Sequence, residues 1–309
     1  MNYDLTPFDS EMRAFIAKVD SFYPADAVNL DVAGQRRVYD DLCRAFSPPY
    51  PASVTAADGV SDGIPVRRYR KAGSASVANV VYYHGGGFVV GGLHSHDGVC
   101  AEICDATGFE VVSADYRLAP EHVHPAHYGD ALAVFRAVAA EGLPVVVAGD
   151  SAGGNLAAAV AIASRDSDLA PIGQVLIYPG LGGDALGLPS YTEQANAVHL
   201  TAADVRYYAK IRAGGPAPEN DPTFSPLAAP DFSGVAPCFA VTADIDPLRD
   251  DAKAYAERLR AAGGAAISVN ELGLVHGYLR ARHMSARARQ SFGRITNAIS
   301  RLGQGLAIF

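Results

Sequence analysis

Residues 143–156 read LPVVVAGDSAGGNL. Val145-Val146-Val147 is a short apolar β-branched run, the mark of a buried strand. The Ala-rich run from Asn155 to Ala163 is helical in character. Between them lies Gly149-Asp150-Ser151-Ala152-Gly153, a Gly-x-Ser-x-Gly match. A serine pushed to the tip of a tight strand-to-helix turn leaves no room for side chains two residues to either side, and glycine supplies that room. The helix that follows points free N–H groups back at the serine, where they favour negative charge. On its own the match is weak. Its strand–turn–helix context makes it a nucleophile elbow and sets the expectation for the rest of the chain.

Strand-like runs recur around this stretch, at 77–83, 110–114, 144–148, 173–178, 237–242 and 266–271. Helical stretches separate them, at about 95–107, 127–141, 152–165, 248–262 and 285–302. Such alternation implies βαβ units and a mostly parallel central sheet flanked by helices, an α/β fold. The near-continuous Val/Ile runs agree, because parallel strands are buried on both faces. Upstream, Ser53–Ala57 and Pro65–Tyr69 flank Asp62-Gly63 and predict an antiparallel hairpin. Residues 1–50 read as two helices, one with Phe8, Met12, Phe15, Ile16 and Val19 on its buried face and one from Val32 to Phe46. The stretch Gly180–Ala229, rich in Gly, Pro and Asn, breaks the rhythm. It is expected to be an insertion over the sheet, holding one helix at 202–211.

Composition narrows the function classes. The chain has 309 residues, 49% hydrophobic and 19% charged, which suits one sizeable core. A net charge of −8 argues against a nucleic-acid partner. No apolar run approaches the ~20 residues of a membrane span, and no leader pattern opens the chain. Four cysteines (Cys43, Cys100, Cys104 and Cys238) form no disulfide framework. A cytoplasmic protein, monomeric or homodimeric, is the expectation.

A serine hydroxyl needs a base to remove its proton, and the base needs an orienting carboxylate. Of the histidines after Ser151, His276 follows a strand and fits the base, whereas His199 and His283 read as surface residues. Asp244 and Asp246 both lie at the end of the strand before it, and either could be the acid. Asp250 and Asp251 read as helix-capping residues. Backbone donors for an oxyanion are offered by His84-Gly85-Gly86-Gly87-Phe88 after the first parallel strand, together with Ala152. Gly86, Gly87 and Ala152 are the expected donors, with Gly85 as a third glycine. His84 is expected to brace that loop, as is an Asp115–Arg117 ion pair. Two clusters have metal-like spacing, His96/Cys100/Cys104 and His122/His124/His127. They read instead as a packing face and a structural loop, so neither a metal nor a cofactor is expected.

The stretches His84-Gly85-Gly86-Gly87-Phe88, Asp115-Tyr116-Arg117-Leu118-Ala119-Pro120-Glu121-His122, Gly149-Asp150-Ser151-Ala152-Gly153-Gly154-Asn155, Asp246-Pro247-Leu248-Arg249-Asp250 and His276-Gly277 occur in this order. Together they resemble the hormone-sensitive-lipase-like esterases, the bacterial family IV carboxylesterases, over about residues 75–280. The resemblance implies an α/β-hydrolase fold with a small helical cap. The cap would comprise residues 1–50 and an insertion at about 180–229 within a catalytic domain of 51–309. It also implies a catalytic set of Ser151, Asp246 and His276, which selects Asp246 over Asp244, and a small ester as substrate, with short acyl groups favoured. Tyr278 stands where Phe is commoner in that family. By position alone, Phe88, Val89, Tyr191, Val198, Leu200 and Tyr278 are candidates for the substrate pocket. The same groups could serve amides, carbamates or peptides, and relatives of the fold that bind without turnover lack the histidine. A base at His276 must be neutral, so activity is expected to fall at acid pH.

Overall fold

Strands that bury both faces need helices on both sides, and the arrangement of the chain follows from that requirement. A computed structural model describes residues 4–24 and 30–308. Eight strands form one sheet: β1 (Val54–Ser61), β2 (Ile64–Lys71), β3 (Asn79–Tyr83), β4 (Glu110–Ala114), β5 (Val145–Asp150), β6 (Gly173–Ile177), β7 (Cys238–Ile245) and β8 (Ala266–Val275), in the spatial order β1-β2-β4-β3-β5-β6-β7-β8. The pairs β1/β2 and β2/β4 are antiparallel, and all later pairs are parallel. The hairpin expected around Asp62-Gly63 is present, with both residues at positive φ, 47° and 78°. Two-residue hairpin turns that match the strand twist require this conformation.

The helices are α1 (Ser10–Asp20), α2 (Val32–Ala45), α3 (Asp97–Thr107), α4 (Ala126–Ala139), α5 (Ala152–Ala163), α6 (Ser190–Glu193), α7 (Ala202–Ala213), α8 (Arg249–Ala261) and α9 (Ala286–Gly303). Successive residues of a strand serve opposite layers. Val80 and Tyr82 pack with α3 and α9, whereas Val81 and Tyr83 pack with α4, α5 and α8. Helix α5 is apolar all round and buried along almost its whole length, as a central helix must be. Met12, Phe15, Ile16 and Val19 of α1, with Phe8 just before it, are all buried in the core cluster. Asp9 caps α1 by accepting from the Met12 N–H at 2.9 Å. In the insertion, Thr201 and Asp204 form a reciprocal capping box on α7. Among the described residues, no helix is long and apolar enough to cross a membrane.

Two features of this topology place the site. β3 lies between β4 and β5, so the chain leaves it toward one side and returns on the other. That switch point opens a crevice beyond the carboxyl ends of β3 and β5. The other feature is the meeting of α2 and α7 above the crevice. Val32 and Tyr39 from α2, with Tyr208 and Ile211 from α7, pack around Val89, Val90 and Ala119. Arg36 ties α2 down by donating to the carbonyls of Val89 at 2.9 Å and Ala119 at 3.0 Å, and by pairing with Glu121.

Candidate active site

The turn after β5 is as tight as its glycines suggest. Ser151 is held at φ 54°, ψ −116°, a conformation that L side chains rarely adopt. A Cβ on Gly153 would lie 1.9 Å from the Tyr83 carbonyl oxygen, and one on Gly149 would lie 2.4 Å from the Gly153 backbone. Both neighbours are main chain and cannot step aside. Ser151 therefore stands at the carboxyl edge of the sheet, immediately before the first N–H groups of α5.

His276 follows β8 and Asp246 follows β7, so adjacent strand ends carry them to the same place. The Ser151 Oγ lies 2.9 Å from His276 Nε2, and His276 Nδ1 lies 2.7 Å from Asp246 Oδ2. The Asp246 side chain is 0% exposed and that of His276 13%. The other Asp246 oxygen accepts the Leu248 N–H at 2.9 Å, which fixes the carboxylate's rotation. Asp244 points elsewhere and accepts from Asn270 Nδ2 at 2.9 Å and the Gly273 N–H at 3.1 Å, bracing the irregular end of the β7/β8 pair. His283 is exposed beside Glu102, as its sequence position suggests. His199, expected at the surface, is instead half-buried in the cleft wall, its side chain 12% exposed and its ring 5.7 Å from that of Phe15. Burial pushes its imidazole down to about 4.

The glycine loop after β3 runs beside the serine, but its three glycines are not equivalent. The Gly85 N–H donates to Asp150 Oδ1 at 2.9 Å, so it cannot serve an oxyanion, contrary to the reading of Gly85 as a third donor. None of the hydrogen bonds closing the loop uses the N–H of Gly86 or Gly87, and the Ala152 N–H belongs to the open first turn of α5. Gly86 adopts φ 131°, and a Cβ there would meet the Val90 carbonyl oxygen at 2.1 Å. The carboxylate of Asp150 is the fastener of the site. It also accepts from the Tyr82 hydroxyl at 2.9 Å and lies 3.1 Å from His96 Nε2. Burial would raise this carboxyl, but His96, Arg280 and the Tyr82 hydroxyl hold it well below the usual carboxylate range. His84 braces the loop as expected, with Nδ1 2.8 Å from the Gly85 carbonyl and its ring stacked 4.3 Å from that of Tyr116. The Asp115–Arg117 pair does not form. Arg117 takes Asp130 in a two-pronged contact at 2.9 and 2.7 Å, because α4 presents Asp130 directly beneath it.

Two clefts meet at Ser151 and share Gly87, Ser151, Leu200 and Tyr208. One, of about 140 Å³, lies under α1 and α2, with Phe15, Val19, Tyr39, His276 and Arg280 among its walls. The other, of about 210 Å³, lies under the insertion, with Phe88, Tyr191, Val205, Arg212 and Leu248 among its walls. Of the pocket residues read from position, Phe88, Tyr191 and Leu200 line these clefts. Val89, Val198 and Tyr278 do not. Val89 is turned into the packing around Ala119, and Val198 joins the core cluster. Tyr278 is 0% exposed, its hydroxyl 2.7 Å from Ser291 Oγ. Gly277 at φ 76° directs it inward. The α1 and α2 wall went unread because apolar residues at helical spacing signal burial without saying against what. Arg280 and Arg212 carried no motif at all.

The described residues hold no group of three or more metal-type ligands. Cys100 and Cys104 are buried in the core, while His96 turns away to Asp150. His124 pairs with Asp221, and His127 stacks on Phe88 at 5.3 Å.

Comparison with known proteins agrees with this geometry. A family model described as alpha/beta hydrolase fold matches residues 80–280. The carboxylic ester hydrolase LipN of Mycobacterium tuberculosis is 38% identical over 275 residues, covering 82% of this chain and 72% of that protein. The carboxylesterase NlhH of the same organism is 42% identical over 257 residues, covering 79% and 80%. A crystal structure of an esterase from the bacterial hormone-sensitive lipase family superimposes with a TM-score of 0.86 at 27% identity, covering 95% of this chain and 98% of that one. The chain belongs to the α/β-hydrolase fold family and, within it, to the hormone-sensitive-lipase-like carboxylic ester hydrolases.

Proposed function

We propose that the chain is a serine carboxylesterase that hydrolyses short-chain carboxylic esters through an acyl-enzyme. The observation that carries this reading is the unbroken line of contacts from Ser151 through His276 to buried Asp246, beside a glycine loop whose Gly86 and Gly87 N–H groups have no partner among the described residues. Ser151 Oγ attacks the ester carbonyl while His276 Nε2 takes its proton. Asp246 holds the Nδ1–H tautomer and stabilises the imidazolium. The N–H groups of Gly86, Gly87 and Ala152 receive the oxyanion, each worth about 3–4 kcal/mol in the transition state. His276 returns the proton to the leaving alcohol, then activates a water that releases the acid. Residues 1–50 and about 180–229 act as a cap that closes the site from above.

The modest clefts, of about 140 and 210 Å³, favour small acyl and alcohol groups over long chains. Initial rates on p-nitrophenyl esters of two to sixteen acyl carbons test this, with Ser151→Ala measured alongside. Short chains are expected to be fastest, and the variant to lose roughly 10⁴–10⁶-fold. A long-chain optimum would overturn the size preference, and an inactive wild type the esterase reading.

A further inference from the structure

Arg280 lies four residues after His276 in the 3₁₀ turn Tyr278–His283, and its side chain forms part of the wall of the cleft under α1 and α2. Its surroundings are unusual for a guanidinium. Nη2 donates to the Tyr39 hydroxyl at 2.5 Å and lies 3.6 Å from Cys43 Sγ, and the group sits 4.8 Å from the Tyr39 ring centre. Nε is buried with no hydrogen-bond partner, and Nη1 makes no hydrogen bond among the described residues. No carboxylate lies within ion-pair distance of it among those residues. By contrast Arg282, two residues on, is clasped by Glu102 at 2.7 and 3.0 Å. The acidic side chain in the same cleft wall, Asp150, has its oxygens taken by Gly85, Tyr82 and His96.

A guanidinium cannot shed its charge and offers five donors in a planar fork that matches a carboxylate. Asp150 gives this half-buried arginine a carboxylate charge nearby but no direct ion pair, so its spare donors are left for an anion that enters the cleft. The same cleft carries Ser151 and His276, so a ligand reaching Arg280 is already at the serine. Phe15, Val19 and Leu42 line the same cleft and would pack on a short aliphatic spacer.

Resting on the esterase reading above, we propose that this cleft selects esters that also carry a free carboxylate, held by Arg280 while Ser151 attacks the ester carbonyl. Half-esters of short dicarboxylic acids and esters of hydroxy acids share that chemistry. They differ in which limb, acyl or alcohol, enters the cleft. The reaction consumes water, gives the acid and alcohol, and leaves the distal carboxylate untouched. Arg280 is thus a specificity residue, not a catalytic one.

The test is a set of matched pairs followed by pH-stat. In one arm, monoethyl succinate, glutarate and adipate are compared with the diethyl esters and the ethyl esters of the half-amides. In the other, O-butyryl glycolate and O-butyryl 3-hydroxypropionate are compared with their amides. Wild-type kcat/KM is expected to favour the anion about 10- to 100-fold in one arm, mainly through KM. The arm that responds identifies the limb, and the best spacer length measures the gap to Arg280. Arg280→Gln is expected to bring the ratio close to one, and Arg280→Lys to keep part of it. The ratio is internal to each protein, so a general loss of folding does not mimic the effect, and the wild-type ratio needs no variant. Neutral esters equal to or better than anionic ones in both arms overturn the proposal, as does a ratio that Arg280→Gln leaves unmoved. Failure of the wild type on neutral and anionic esters alike sinks the esterase reading itself, a different result from neutral turnover without anion preference.

Discussion

At Ser151 the backbone holds a conformation that costs a non-glycine residue about 1–3 kcal/mol, and it persists because everything around it is over-determined. Its N–H donates to the Ile177 carbonyl at 2.8 Å, its neighbour Asp150 is bound by three other segments, and Gly149 and Gly153 abut main chain. The same economy governs Asp246, where one oxygen is committed to the Leu248 N–H, so only the other can face His276. This makes Asp246→Asn informative. The amide oxygen must stay on Leu248, which turns the amide NH₂ toward Nδ1. His276 then carries its proton on Nε2, facing Ser151, and cannot accept another. We expect kcat to fall roughly 10⁴-fold with KM little changed. Stopped-flow or steady-state rates on a short-chain ester check it, and a loss under tenfold would remove Asp246 from the reaction.

Helix α7 contributes more than a wall. Its buried Arg212 lies between two rings, 3.7 Å from the Phe88 centre and 4.3 Å from that of Phe224. Its Nη groups donate to the Phe224 and Thr223 carbonyls and to Asn155 Oδ1 on α5. One side chain thus joins the insertion, the end of the glycine loop and the helix that follows the serine. Burial brings its guanidinium down to about 9, so it remains charged at neutral pH. Arg212→Met would keep the apolar stem and strip the Thr223 carbonyl and Asn155 Oδ1 of their donor, while the Phe224 carbonyl keeps Asn155 Nδ2 at 3.0 Å. We expect a loss of about 3 kcal/mol in stability. A 10- to 100-fold drop in kcat should accompany it as the glycine loop loses its anchor. Denaturant titration and a kcat–KM split measure the two effects. A stability loss with unchanged kcat would make Arg212 purely structural.

Across the whole molecule, several buried or half-buried histidines are neutral at working pH. Burial pushes His84 down to about 4, His127 to about 3 and His199 to about 4. In the unfolded chain each would take up a proton near pH 6.5. Below that pH the unfolded state therefore binds more protons than the native one, and stability falls as pH falls. Asp251 acts in the opposite sense. Burial raises its carboxyl to about 7, so the native state keeps a proton there that the unfolded chain sheds above pH ~4. Three groups against one leave a net loss of roughly 2 kcal/mol per pH unit between pH 6 and 5. Thermal unfolding at steps from pH 7 to 5 should show the midpoint dropping throughout. A midpoint flat or rising on acidification would mean that these histidines are not held neutral.

The elements were legible in the sequence because local pattern decides them. The Val-rich strands, the Asp62-Gly63 turn and the glycines around Ser151 each obey a rule acting over a few residues. The nucleophile motif, the glycine loop and the order in which the candidate acid and base follow were readable for the same reason. Which aspartate would face His276 was not a matter of spacing, since Asp244 and Asp246 end the same strand, and the resemblance chose between them. Only the tertiary structure decided what depends on distant segments meeting. It drew the Gly85 N–H away to Asp150, moved Arg117 from Asp115 to Asp130, set His199 into the cleft wall and turned Tyr278 into the core. It also brought α1 and α2 over the site and placed Arg280 in the cleft with no ion-paired carboxylate among the described residues. A side chain's environment is set by what packs on it from elsewhere in the chain, and no periodicity within its own segment records that.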